Sequence, residues 1–245
     1  MSGPSTPATV VLVHGAFHGA WCWARVVPRL EAAGVPAVAV DLPGHGDAGG
    51  PPGDLHAHAD WLRGFLEAQP GPVVLVGHSY GGAVITDAAT GVGSVARLVY
   101  LAAIVPDAGE TMTTVMPDRA ADVDVASLVP DAMRVADDGT LVIDPAVGVE
   151  AFYADCSEAD VEFALAHLGP QNAATFGQAV RGAAWRTIPS TYVVCTEDRA
   201  VGVGFQRALA TRTTDTVELT TSHSPFFSQP QVLADVLVAL ARDAG

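Results

Sequence analysis

Basic residues are scarce in this 245-residue chain: 12 Lys and Arg stand against 27 Asp and Glu, for a formal net charge of −15. The few cations are scattered without a basic run. Such a field repels phosphate backbones and anionic lipid, so no nucleic-acid partner and no membrane partner is expected. Cysteine is nearly absent as well. Cys22, Cys156 and Cys195 are an odd number spread widely in sequence, which argues against a disulfide framework and suits a reducing cytoplasm. No stretch approaches the ~20 apolar residues that span a bilayer, and the first eight residues hold no basic leader region. Metal motifs are missing too: there is no H-E-x-x-H and no Cys/His ligand cluster, and no G-x-G-x-x-G follows the first apolar run. Neither a metal nor an organic cofactor is expected.

What is present is apolar residue, 49% of the chain, enough for one continuous core. The apolar runs are short and alternate with helical stretches, the pattern of a mostly parallel sheet covered on both faces. Strands are predicted near 9–13, 36–40, 73–77, 97–102, 190–195 and 216–220. Crossover helices are predicted at about 21–33, 56–68, 80–90, 203–212 and 230–241. The expected fold is therefore α/β, one domain over 1–245 with about six strands. The interval from about 106 to 186 breaks the alternation and is read as a small cap inserted over the sheet's C-terminal edge. Inside it, Met133–Ala136 and Thr140–Ile143 read as a hairpin, and Asp160–His167 has helical spacing.

The chemistry is concentrated in Gly77-His78-Ser79-Tyr80-Gly81, which follows the run Val73–Val76 and opens an apolar helix. Strand, sharp turn and helix with a serine at the apex make a nucleophile elbow. A serine hydroxyl is a weak nucleophile, so it needs a histidine to take its proton and a carboxylate to orient that histidine. In a fold of this kind the order along the chain is serine, acid, histidine. Glu197 and Asp198 follow the strand at 190–195, at the edge where catalytic groups of open α/β sheets gather. Either suits the acid. His223 follows the strand at 216–220 and is the only histidine after His167, which makes it the base. The loop His14–Trp21 follows the first strand and is expected to supply one oxyanion donor, the Ala16 N–H, with the other from Tyr80. His14 is expected to brace that loop.

These segments, together with Asp41–Gly46, resemble the α/β-hydrolase superfamily. The narrower likeness is to the branch of plant methylesterases, hydroxynitrile lyases and small bacterial esterases. The resemblance runs through nearly the whole chain and is weakest at about 106–185. It implies a triad of Ser79, Asp198 and His223. One departure bears on the reaction. The hydroxynitrile lyases of that branch carry a threonine where this sequence has Gly15 and a lysine where it has Ser224. Without that cation a leaving cyanide has no stabiliser, so hydrolysis of a small-molecule ester is the expected activity. A lyase, an acyltransferase, a lactone-processing enzyme and a non-catalytic small-molecule receptor on the same scaffold are the alternatives. Phe17, Phe152, Phe176 and Trp185 are the expected substrate-binding residues, with Tyr153, Phe163, Met112 and Met116 as further pocket candidates. Oligomeric state is not encoded legibly, and a homodimer stays open.

Overall fold

The computed structural model describes residues 7–115 and 127–245. Six strands form one parallel sheet: β1 (Thr9–Val13), β2 (Ala37–Val40), β3 (Val73–His78), β4 (Val95–Leu101), β7 (Ser190–Cys195) and β8 (Asp215–Leu219), in the order β2-β1-β3-β4-β7-β8. Between β4 and β7 the short strands β5 (Met133–Val135) and β6 (Leu141–Ile143) pair antiparallel as a hairpin. Strand side chains alternate between two cores, because successive residues point to opposite faces. Val11, Val13, Leu75, Leu98 and Tyr192 belong to one. Val10, Leu12, Val74, Val76, Val99 and Val193 belong to the other.

The first core is closed by α2 (Leu55–Glu67), α3 (Gly81–Ala88) and α9 (Val203–Ala210), through residues such as Leu62, Val84 and Leu209. The second is closed by α1 (Val27–Ala32), α10 (Pro225–Ser228) and α11 (Pro230–Asp243), through Leu30, Phe226 and Leu237. The helix predicted over 21–33 is two pieces, a 3-10 turn at Ala20–Trp23 and α1. Pro28 lies in the first turn of α1, where its missing N–H costs nothing; deeper in a continuous helix it would break the ladder.

The stretch between β4 and β7 contributes α4 (Met112–Val115), α5 (Val129–Ala132), α6 (Pro145–Phe152), α7 (Glu158–His167) and α8 (Ala174–Gly177) beside the hairpin. Helix α7 is capped by Ser157, whose hydroxyl accepts the Asp160 N–H at 3.3 Å. The hairpin is one residue shorter on each inner end than predicted, with Gly139 at φ 83° in its turn. Met116 lies outside the described residues. Among the described residues no helix is long and apolar enough to cross a membrane.

Candidate active site

Four loops meet at the C-terminal edge of the sheet, after β1, β3, β7 and β8. The turn after β3 is the tightest. Ser79 sits at φ 53°, a left-handed conformation that costs a non-glycine residue on the order of 1–3 kcal/mol. It is fastened by its own backbone: the Ser79 N–H donates to Leu101 O at 3.1 Å, and Ser79 O accepts from the Gly82 and Ile104 N–H groups, each at 3.1 Å. Glycine is required on both sides. A Cβ on Gly77 would lie 2.6 Å from Gly81 O, and one on Gly81 would lie 2.7 Å from His14 O.

Asp198 rather than Glu197 meets the histidine. His223 Nδ1 lies 2.7 Å from Asp198 Oδ2, and both side chains are buried, whereas Glu197 is exposed. Three more donors converge on the same carboxylate. Ala200 N–H and Val201 N–H reach Oδ1 at 2.7 and 2.9 Å, and Gln206 Nε2 reaches Oδ2 at 2.9 Å. A carboxylate only accepts, so Nδ1 carries the proton and Nε2 of neutral His223 is left with its lone pair. The imidazole is wedged between His78, at 4.5 Å between ring centroids, and Phe152, at 5.6 Å. His78 Nε2 donates to His223 O at 2.9 Å, which fixes the backbone of His223 as well.

The loop after β1 is held by histidines. His14 Nδ1 donates to Gly15 O at 2.8 Å and its Nε2 accepts the Leu42 N–H at 3.1 Å. His18 Nδ1 donates to Ala16 O at 2.8 Å. His58 joins the other side, donating from Nε2 to Pro43 O at 3.1 Å and accepting at Nδ1 from the Tyr80 hydroxyl at 2.8 Å. Burial holds His14 and His78 well below the usual imidazole range, and lowers His18 and His58 to about 4. That lowering keeps all four neutral near pH 7, and for His14 and His58 the accepting ring nitrogen requires it. Among the described residues neither the Ala16 nor the Tyr80 N–H has a protein acceptor. Two unused amide donors beside a serine are what a developing oxyanion needs.

Ser79, His223, Ala16 and Tyr80 all line one cavity of about 500 Å³ including its mouth. Phe17, Phe152 and Phe176 line it too, with Ile104, Met112 and Val201. Trp185, expected there, is not part of the lining. Its turn, Ala184–Arg186, leads into β7 beside α3, where the indole donates to Pro106 O at 2.9 Å and stacks against Arg186 at 4.8 Å. Tyr153 and Phe163 also stand off the cavity: Tyr153 faces His18 through its hydroxyl, and Phe163 packs on His167 and Trp21. Cys22 is buried core beside Trp23 and does not reach the cavity. Among the described residues no group of His, Cys, Asp and Glu is arranged to hold a metal ion.

Three contributors escaped the sequence reading. Gln206 is wholly buried on α9 and clamps Asp198, yet a glutamine within a helix reads as solvent-facing. Gln171 accepts the Phe17 N–H at 3.2 Å from the far side of the chain. His18 lies inside a quoted motif, but its use depends on Tyr153, 135 residues away.

A parallel sheet with a serine on the left-handed turn after an inner strand, opposite a buried histidine–carboxylate pair, defines the class of an α/β hydrolase. The chain belongs to the alpha/beta hydrolase family, whose model matches residues 10–236. Among its relatives is the alpha/beta hydrolase nvfD of Aspergillus novofumigatus, 30% identical with 96% of this chain and 95% of the relative covered. Methylesterase 7 of Arabidopsis thaliana is also 30% identical, covering 94% of this chain and 95% of its own. A solved structure of a pyrethroid hydrolase from Sphingobium faniae superposes with a TM-score of 0.81 at 28% identity, over 96% of this chain and 97% of that one.

Proposed function

We propose that the protein hydrolyses small, largely apolar carboxylic esters through an acyl-enzyme on Ser79. The observation that carries this reading is the pairing of a strained serine elbow with the 2.7 Å His223–Asp198 contact across one cavity. His223 Nε2 takes the hydroxyl proton as Ser79 attacks the ester carbonyl, and Asp198 steadies the imidazolium that forms. The N–H groups of Ala16 and Tyr80 receive the oxyanion. His223 then returns the proton to the departing alcohol, and water repeats the cycle on the acyl-enzyme. Phe17, Phe152 and Phe176 seat the apolar part of the substrate, under a cap formed by residues 106–186 of a single domain spanning 1–245. The names of the methylesterase and the pyrethroid hydrolase support ester chemistry on this scaffold. Three free cysteines favour a cytoplasmic setting.

A cyanohydrin lyase is disfavoured by the cavity's charge. None of the described lining residues is a lysine or arginine. Arg181 is engaged by Asp87 and Asp60, and Arg186 by Asp107, so neither stands as a spare cation.

The test is a panel of methyl, aryl and lactone esters on wild type beside Ser79→Ala, with a fluorophosphonate as active-site label. Wild type is expected to turn over an aryl or methyl ester and to gain one phosphonyl adduct, and Ser79→Ala to do neither. Cyanide release from mandelonitrile is expected to stay at buffer background. Labelling at a residue other than Ser79, or rapid cyanide release, would overturn the reading.

A further inference from the structure

The direction of the Ala16 N–H depends on two peptide planes. A trans peptide points its N–H away from its C=O, so the bond from His14 to Gly15 O fixes the plane that carries the Ala16 N–H. The next plane, Ala16–Phe17, is held at both ends: His18 Nδ1 donates to Ala16 O at 2.8 Å, and the Phe17 N–H donates to Gln171 Oε1 at 3.2 Å. Phe17 O accepts the Gly169 N–H at 2.8 Å. These grips are needed because Phe17 sits at φ 67°, a conformation a side chain of its size leaves unless it is held.

His18 can grip only as one tautomer. A carbonyl only accepts, so the proton must be on Nδ1 and Nε2 must accept. The hydroxyl of Tyr153 lies 2.7 Å from Nε2 and supplies that donor. With the proton on Nε2 instead, the Nδ1 lone pair would face the lone pairs of Ala16 O. Burial keeps the Tyr153 phenol protonated and the His18 imidazole neutral, the two states the arrangement needs.

We propose that Tyr153 and His18 are positioning residues for the oxyanion loop: the Tyr153 hydroxyl, supplied by the segment between β4 and β7, selects the His18 tautomer that holds Ala16 in place. The inference rests on Ala16 receiving the oxyanion, as in the proposed reaction. It makes the inserted segment part of the catalytic geometry, and not only the roof over the substrate.

The experiment compares wild type, Tyr153→Phe, His18→Leu and His18→Asn in aryl-ester kinetics and in binding of an apolar trifluoromethyl ketone. That ketone adds to an active serine and places an oxyanion in the hole. Its non-fluorinated counterpart reports apolar binding alone. Tyr153→Phe is expected to lower kcat roughly tenfold with KM within about twofold. Affinity for the trifluoromethyl ketone should fall in proportion, and affinity for the plain ketone should not. His18→Leu is expected to lose more, and His18→Asn, whose amide can still donate to Ala16 O, to recover most of the kcat lost by leucine. The proposal is overturned if folded Tyr153→Phe retains wild-type kcat and ketone affinity. It is also overturned if the loss falls on KM, or if asparagine rescues nothing while Tm is unchanged. If His18→Leu fails to fold, Tyr153→Phe decides alone, since it removes one oxygen. Absence of ester turnover and of Ser79 phosphonylation in wild type would instead overturn the underlying reaction, and this inference with it.

Discussion

At the scale of single residues, the site is made of positions where ordinary backbone rules are broken. Among the described residues only Phe17, Ser79 and Ala102 are non-glycine residues with positive φ, and each follows a strand at the sheet's C-terminal edge. The folded core holds these conformations at a cost that gives pre-organised geometry in return. Gly15 is the complementary case, a residue that must lack a side chain. A Cβ there would lie 2.9 Å from His78 Nδ1 and 3.0 Å from Ser79 Cβ, so even alanine must push the first loop away from Ser79. Gly15→Ala is expected to lower kcat on an aryl ester at least tenfold with a stability loss of about 1–3 kcal/mol, read from steady-state kinetics and urea midpoints. The double change Gly15→Thr with Ser224→Lys, which would imitate a hydroxynitrile lyase, is expected to fare worse. Ser224 is fully buried and its Oγ has no hydrogen-bond partner among the described residues, so a lysine there would bury an unpaired ammonium.

At the scale of elements, the end of α6 ties together loops that the sheet alone leaves separate. Phe152 packs on the His223 ring, Tyr153 reaches His18, and Asp155 accepts both the N–H of Ser222, at 3.0 Å, and its hydroxyl. Ser222 precedes His223, so Asp155 sets the approach of the His223 loop. Asp155→Ala leaves a buried N–H without its partner and is expected to cost about 1–3 kcal/mol and to lower kcat severalfold. Asp155→Asn, which keeps an acceptor, should recover most of the stability; chemical denaturation and kcat measured on the same preparations check both. The contrast with the strands shows what a sequence can carry. Val10–Val13, Val73–Val76 and Ser190–Cys195 were legible because a strand buried on both faces must be a short apolar run. Ser79 and His223 stand out in the sequence as candidates because the proposed chemistry demands an order as well as residue types, and the fold brings both to one cavity. The contacts of Tyr153, Gln171 and Gln206 were not, since they depend on side-chain directions across long separations. Trp185 stands off the cavity for the same reason: its ring packs against the core, with its indole N–H on Pro106 O and Arg186 over its face.

At the scale of the whole molecule, the chain combines a net charge of −15 with an unusual set of buried imidazoles. His14, His18, His45, His58, His78 and His223 are all buried, and the twelve basic residues are all arginine. Acid must therefore act on the core as well as on the surface. For His18 and His58 the folded protein holds a pKa of about 4 against an ordinary value of 6.5, with burial as the main cause. Between those values the unfolded chain binds more protons, so stability rises with pH there. The contribution is complete above 6.5 and is lost as pH falls toward 4, on the order of 3 kcal/mol for each imidazole. Urea midpoints are thus expected to be flat from pH 7 to 8 and to drop steeply between 6.5 and 4, before most carboxylates protonate. His58→Gln isolates one share of this drop. It keeps a donor for Pro43 O but cannot titrate, so it should be less stable than wild type at pH 7, where the Tyr80 hydroxyl loses its imidazole acceptor. Its midpoint should then fall less steeply, and the two curves should approach each other near pH 5. Parallel curves for the two proteins across that range would mean that His58 does not titrate on unfolding, and that the acid sensitivity lies with the other buried histidines.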